Sequence, residues 1–459
     1  MGDLLQGYRG EARAVLERAG VAVWDNVDLR TDEGTFSGLL LPRSETADDR
    51  HVVLKLANGY NLGIRASRVR ELVSHGPREV HARPPRREVA VDASRPSVTL
   101  LGTGGTIASR LDYRTGGVVP AFSPEDLYAS VPELAETCNL KTRALYSVLS
   151  ENMGPEQWIG LAVAVAEEIR GGAEGIVIGH GTDTMQHTAS VLSFMLQNPP
   201  VPIVMVGSQR SSDRPSSDAA LNLIHATRAA ALSDIAEVTV CMFGPTSDEY
   251  GLLHRGTRVR KMHTSYRSTF RTIADIPLAA VFSDRVLPLR TDYCPRRLDR
   301  TVTLDAVWSD RATIVYYYPA MREDIIDALV DHGYQGIVIA GTGLGHTGRS
   351  LLPALKRAVD RGVHVFMTAQ TLWGYVQMHV YDTGRDLMDI GVMPANMLPE
   401  VAYMKLGWVL AHTTERSEVS RLMQTCLAHE ITQREPHDGY LVLQGGLPDV
   451  DRYIKQHRI

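Results

Sequence analysis

The sequence has little that marks a secreted, membrane-spanning or nucleic-acid-coating protein. It holds four cysteines in 459 residues, and Cys138, Cys241, Cys294 and Cys426 lie far apart with no CxxC pair. That count argues against a disulfide scaffold and implies reduced thiols in a cytoplasmic protein. Uninterrupted apolar runs of about 18 residues, the length of a membrane span, are missing. The opening Met1-Gly-Asp-Leu-Leu-Gln6 carries an early acid, no long apolar core and no myristoylation pattern, so neither a signal peptide nor a lipid anchor is expected. Aromatics make up 6% of residues, and the formal charge is only −5. Non-specific nucleic-acid binders are usually basic, so any RNA contact should be local or delegated to a partner.

Nucleotide and metal motifs are equally scarce. There is no GxxxxGK[ST] phosphate loop, and His180 and His187 do not form HExxH. Gly341-Thr-Gly-Leu-Gly-His346 follows a strand-like run but lacks the third glycine of a dinucleotide turn, and we read it as a loop lining the catalytic cleft. Neither a metal nor a cofactor is expected in this chain.

What is present is a pair of glycine-flanked threonine turns, Thr103-Gly-Gly-Thr-Ile-Ala108 and His180-Gly-Thr-Asp-Thr-Met185. Each follows an apolar run that reads as a buried strand, Val98–Leu101 and Gly175–Gly179, and each opens into a segment able to start a helix. Ligands of open α/β sheets bind at the carboxyl ends of such strands. A threonine hydroxyl beside unpaired backbone N–H groups combines a nucleophile with an oxyanion site. Thr106 is the candidate nucleophile, although a threonine at this position also commonly caps a helix. A hydroxyl needs a base, and Thr182, Asp183 and Lys261 supply candidates for a relay. Lys261 lies among positive neighbours in Arg258-Val-Arg-Lys-Met-His263, a setting able to lower a lysine pKa or simply to form a solvated basic surface. Tyr113, in a polar stretch shortly after Thr106, suits a mobile lid. Ser150 and Glu151 end a further strand-like run, and Asp183 with Glu151 suits the ammonium of an amino-acid substrate.

The length implies two or three domains. Residues 1–75 read as a short amphipathic helix and brief strands at Val21–Trp24, Thr35–Leu41, His51–Leu56 and Tyr60–Ile64, that is, a small β-barrel. Residues 76–96 are rich in proline and arginine and read as a linker. Over 97–300, strands alternate with helices at Pro124–Leu134, Pro155–Arg170, Met185–Gln197 and Ser217–Leu232, the pattern of a doubly wound parallel sheet. Further strands are expected at Ala144–Leu149, Pro202–Val206 and Val238–Phe243. A smaller α/β unit is expected over 311–412, followed by a helical tail over 413–459.

The two threonine signatures in this order resemble those of the L-asparaginase/glutaminase superfamily over roughly 97–412. The resemblance implies an α/β amidohydrolase of two domains, with the nucleophile at Thr106, the second site threonine at Thr182, the aspartate at Asp183 and the lysine at Lys261. It places the lid tyrosine at Tyr113 and the substrate-contacting serine at Ser150; Glu151 stands where that superfamily has glutamine. The flanking Ser109–Gly116, Gly207-Ser-Gln-Arg-Ser-Ser-Asp-Arg214 and Lys261-Met-His-Thr264, together with the extra amino-terminal domain, look like the GatD family, the D subunits of archaeal glutamyl-tRNA(Gln) amidotransferases. That resemblance implies a cytoplasmic glutaminase that hydrolyses glutamine and passes ammonia to a partner, the E subunit. The partner would hold Glu-tRNA(Gln) and use ATP and Mg2+. It further implies a homodimer through the asparaginase-like body and a heterotetramer of two D and two E subunits. A free-standing L-asparaginase is the alternative.

Overall fold

The computed structural model describes residues 5, 7–43, 47–56, 61–77, 91–104, 109–111, 118–120, 131–210, 217–245 and 247–434. The alternating segment from Ser97 forms an eight-stranded sheet. From one edge its order is Asn139–Ala144, Ser97–Gly102, Gly175–Gly179, Ile203–Val206, Val238–Phe243, Gly251–Arg255, Ala279–Val281 and Val286–Pro288. The first five strands are parallel. The sheet then continues antiparallel, because the short connection from Phe243 to Gly251 cannot hold the dozen or more residues of a parallel crossover.

Gly175–Gly179 and Ile203–Val206 are buried at every position, which is why they read as unbroken apolar runs. Ile176, Ile178, Ile203 and Met205 face the core built by helices Pro155–Arg170 and Met185–Met195. Val177, Val204 and Val206 face the helix Ala219–Leu232 on the other side. Helix Pro155–Arg170 starts where expected, with proline in its first turn and Gly154 N–H donated to Gln157 Oε1 at 3.1 Å.

The strand expected at Ala144–Leu149 lies earlier, at Asn139–Ala144. Its partner strand ends at Gly102, so residues beyond Ala144 have nothing to pair with, and Leu145 and Tyr146 N–H both turn onto Gly102 O. The paired segment was hard to recognise because it is an edge strand with polar, partly exposed positions. Most of the helix expected over Pro124–Leu134 lies outside the described residues; a short helix is present at Leu134–Thr137.

A second parallel sheet has the order Ala312–Tyr316, Gly336–Gly341, His364–Ala369 and Met393–Pro394. Its helix Pro399–Leu410 packs on Met185–Met195, so both units share one apolar core. Gly341–His346 forms a tight turn, with Gly345 packed near Met367 and Val376 of its own unit.

Near the amino terminus, helix Gly10–Ala19 buries Ala12 and Leu16 against an antiparallel sheet. Its order is Asn61–Arg65, His51–Leu56, Gly34–Leu40, Asp25–Thr31 and Glu71–Pro77. Among the described residues no ladder joins the two outer strands. The first strand begins at Asp25 rather than Val21, since Trp24 has φ +79° and breaks the extended run. Most of 76–96, and the tail beyond 434, lie outside the described residues.

Candidate active site

Three neighbouring parallel strands deliver their carboxyl ends to one edge of the large sheet. Gly102 sits opposite Gly179, and Gly179 opposite Val206. Thr103 ties the first two together, with its N–H and Oγ1 both donated to Gly179 O, at 3.1 and 3.0 Å. Next comes Gly104 at φ +118°, where a Cβ would lie 2.3 Å from Val148 O, so only glycine fits. Thr106 and Tyr113 follow in the chain but lie outside the described residues.

The second turn is fixed from below by His180. Its N–H donates to Val206 O at 2.9 Å, and its ring lies 2.6 Å from Gly181 O and 3.0 Å from Thr188 Oγ1. Burial pushes the His180 pKa down to about 4, so the ring is neutral at ordinary pH and acts as a strut. Thr184 Oγ1 reaches Ser150 O at 2.5 Å, pinning the Ser150 loop to the same turn. Ser150 is buried there, whereas Glu151 is exposed.

Lys261 closes the group from the hairpin Val259–Lys261 and Phe270–Thr272. Its Nζ donates to Thr182 Oγ1 at 2.9 Å and to Asp183 Oδ1 at 2.8 Å. The Lys261 side chain is 10% exposed, and that of Asp183 is 68% exposed. Thr182, Asp183 and Lys261, 79 residues apart at most, are thus one hydrogen-bonded unit. The positive neighbours of Lys261 do not surround its ammonium. Arg258 is spent on His429 O and Thr432, and Arg260 on the buried Glu400 at 2.9 Å. The Lys261 ammonium thus fixes the Thr182 oxygen beside the Asp183 carboxylate, and it can take up a proton from Thr182 only after giving one of its own to Asp183.

The residues that hold the third turn belong to no motif in the sequence and were missed there. Asp218, fully buried, accepts from Gln209 N–H and Arg210 N–H at 2.9–3.1 Å. Asn222 bridges Asp218 Oδ2 and Gly207 O at 2.8 and 3.0 Å. The acid immediately ahead of helix Ala219–Leu232 was the available signal, as an acceptor at a helix start.

A sheet edge carrying a threonine, a lysine and a carboxylate in mutual contact suits an amidohydrolase, and comparison with known proteins shows an asparaginase-like fold. Residues 97–292 match the asparaginase N-terminal domain, 311–423 the glutaminase/asparaginase C-terminal domain, and 21–73 the GatD N-terminal domain. Among solved structures, the thermostable L-asparaginase from Thermococcus kodakarensis is similar at 30% identity and TM-score 0.66, covering 73% of this chain and 99% of that one. L-asparaginase I from Vibrio cholerae is similar at 30% identity and TM-score 0.64, covering 74% and 99%.

Relatives that span the whole length are more specific. The D subunit of the glutamyl-tRNA(Gln) amidotransferase of Pyrococcus furiosus is 49% identical over 440 residues, 93% of this chain and 99% of the relative. That of Methanothermobacter thermautotrophicus is 48% identical over 429 residues, 93% and 98%. The chain belongs to this GatD family of glutamyl-tRNA(Gln) amidotransferase D subunits.

Proposed function

We propose that this chain is the glutamine-hydrolysing subunit of a tRNA-dependent amidotransferase that converts Glu-tRNA(Gln) to Gln-tRNA(Gln). The observation that carries this reading is the likeness to the GatD relatives along their whole length, amino-terminal unit included; the similar L-asparaginases cover only about three quarters of the chain.

In the mechanism we propose, Thr106 Oγ1 attacks the side-chain amide carbon of glutamine. Its proton passes to Thr182, the Thr182 proton passes to Lys261, and Lys261 gives one of its own to the Asp183 carboxylate, so that one proton ends on Asp183. The Lys261 contacts with both groups favour this assignment. Backbone N–H groups at the glycine turns hold the oxyanion, one such donor being worth about 3–4 kcal/mol. The C–N bond then breaks, the nitrogen takes a proton and leaves as ammonia, and water hydrolyses the acyl-threonine to glutamate. The exposed Asp183 carboxylate also suits the substrate α-ammonium. Tyr113 closes over the substrate, and Ser150 with Glu151 borders it.

The partner in this scheme is the E subunit, which binds Glu-tRNA(Gln) and uses ATP and Mg2+; this chain needs no cofactor for glutamine hydrolysis. Two copies pair through the asparaginase-like body, giving a heterotetramer of two D and two E subunits in the cytoplasm. Among the described residues no helix is long and apolar enough to cross a membrane.

Ammonia release from glutamine and from asparagine tests the reading, with the chain alone and then with the E subunit and Glu-tRNA(Gln). Weak release alone that rises steeply with partner and charged tRNA is expected, and Thr106→Ala should abolish it. Full activity alone with asparagine preferred, indifferent to tRNA, would instead make this a free-standing L-asparaginase.

A further inference from the structure

At the far end of the large sheet from the threonine turns, a cavity of about 270 Å³ opens between Glu237, Arg255, Cys294, Cys426 and His429. Glu237 immediately precedes the strand Val238–Phe243, Cys294 lies on the segment joining the two α/β units, and His429 lies on the loop after the helix Arg416–Gln424. A carboxylate oxygen of Glu237, the Cys294 sulfur and an imidazole nitrogen of His429 all lie within 4.8 Å of one another. We propose that Glu237, Cys294 and His429 form a binding site for a thiophilic divalent cation such as Zn2+, pinning the inter-unit segment and the carboxyl-terminal loop to the sheet.

The donor set has the right chemistry. Zn2+ takes thiolate, imidazole and carboxylate at about 2.0–2.3 Å in tetrahedral geometry, which puts the ligand atoms about 3.3–3.8 Å apart. Starting from separations of at most 4.8 Å, the contraction needed is about 1.5 Å at most on that scale. Thiolate and carboxylate together carry the two negative charges that a dication needs.

The site is also built around the ligands. Arg255 donates to Glu237 Oε2 at 2.7 Å and Oε1 at 3.2 Å, and Cys294 N–H donates to Oε1 at 2.9 Å. That takes both acceptor positions of Oε1 and one of Oε2, so the position left for a cation is on Oε2. Oriented carboxylates of this kind are what metal sites use. The charge of Arg255 is itself answered by Asp275 at 3.6 Å.

The His429 loop is clamped from several sides. Thr257 Oγ1 donates to Ala428 O and Arg258 Nε to His429 O, each at 2.8 Å. Glu430 accepts the N–H groups of Leu427 and Ala428. His429 Nε2 nevertheless stands 3.9 Å from Glu237 Oε1, too far for a hydrogen bond. Cys426 lines the same cavity with its sulfur toward Glu430 Oε2 at 3.7 Å, and water completes the coordination.

The probe is Co2+ added to the full, metal-stripped chain, with Zn2+ as competitor. One equivalent should produce a sulfur-to-cobalt charge-transfer band, displaced by Zn2+ and lost in Cys294→Ser and His429→Ala. Cys426→Ser should keep the band, and Zn2+ should raise the melting temperature of the parent but not of Cys294→Ser. Glutamine hydrolysis by Cys294→Ser should match the parent, which separates this site from the threonine site. Absence of a thiolate band in the parent, or a band that survives Cys294→Ser, overturns the proposal.

Discussion

At the residue scale the site rests on one ammonium. Lys261 joins Thr182 and Asp183, and nothing else among the described contacts orients the Thr182 hydroxyl. Its ion pair is lopsided, because Asp183 is largely exposed and can return to water when the lysine is removed. Such pairs contribute about 1 kcal/mol or less to stability. Lys261→Met should therefore leave the melting temperature within a few degrees of the parent, while glutamine hydrolysis falls about 10²–10⁴-fold, the range for a lost proton-transfer group. Lys261→Arg should not rescue the rate, since a planar fork cannot replace a compact ammonium between two oxygens. A Lys261→Met chain with parental turnover would remove the lysine from the relay.

At the scale of elements, the turn after Ile203–Val206 acts on the threonine beside it. A Cβ on Gly207 would lie 2.7 Å from His180 O and 2.8 Å from Thr182 Cγ2. Gly207→Ala must therefore displace the His180 carbonyl, the Met185 methyl and the Thr182 side chain, at a cost of about 1–3 kcal/mol for overpacking. We expect at least a tenfold loss of glutamine hydrolysis. Gly172→Ala is the control: at φ +94° with open space around it, it should cost roughly 1 kcal/mol of backbone strain and leave the rate alone. If both variants lose stability but Gly207→Ala keeps its rate, Thr182 tolerates displacement.

The same elements show what was legible in the sequence. Gly175–Gly179 and Val238–Phe243 stood out because burial on both faces demands continuous apolar residues. Asn139–Ala144 and Glu71–Pro77 did not, since an edge strand tolerates charge and its pairing depends on a partner distant in sequence. The motifs flagged Thr182, Asp183 and Lys261 individually, but their contact depends on a hairpin 79 residues downstream, which no local pattern encodes. Asp218 and Asn222 were overlooked for the same reason: their work is on the backbone of another turn.

At the scale of the whole molecule, the cores enclose four histidines that do not readily take up a proton. Burial pushes His180, His187 and His225 down to about 4 and His254 to about 3, against an ordinary value of 6.5. All four lie in the large α/β unit, on or beside the strands and helices of its sheet. The unfolded chain binds these protons near pH 6.5, whereas the folded chain resists until about pH 4. Between those limits the unfolded state holds more protons, so stability falls as pH falls. Each histidine contributes a slope of up to about 1.4 kcal/mol per pH unit, and above pH 7 the contribution vanishes. Glu400 works in the opposite sense, because burial raises its pKa despite Arg260, but it is one group against these four and against His364 and His429, which burial also pushes down. The melting temperature of the asparaginase-like body should therefore be flat from pH 8 to 7 and drop steeply from pH 6.5 to 4.5. His225→Asn, which removes one of these histidines, should make that decline shallower by up to about 1.4 kcal/mol per pH unit. A melting temperature independent of pH over this range would mean that the buried histidines gain their protons without unfolding, through local opening of the helices that cover them.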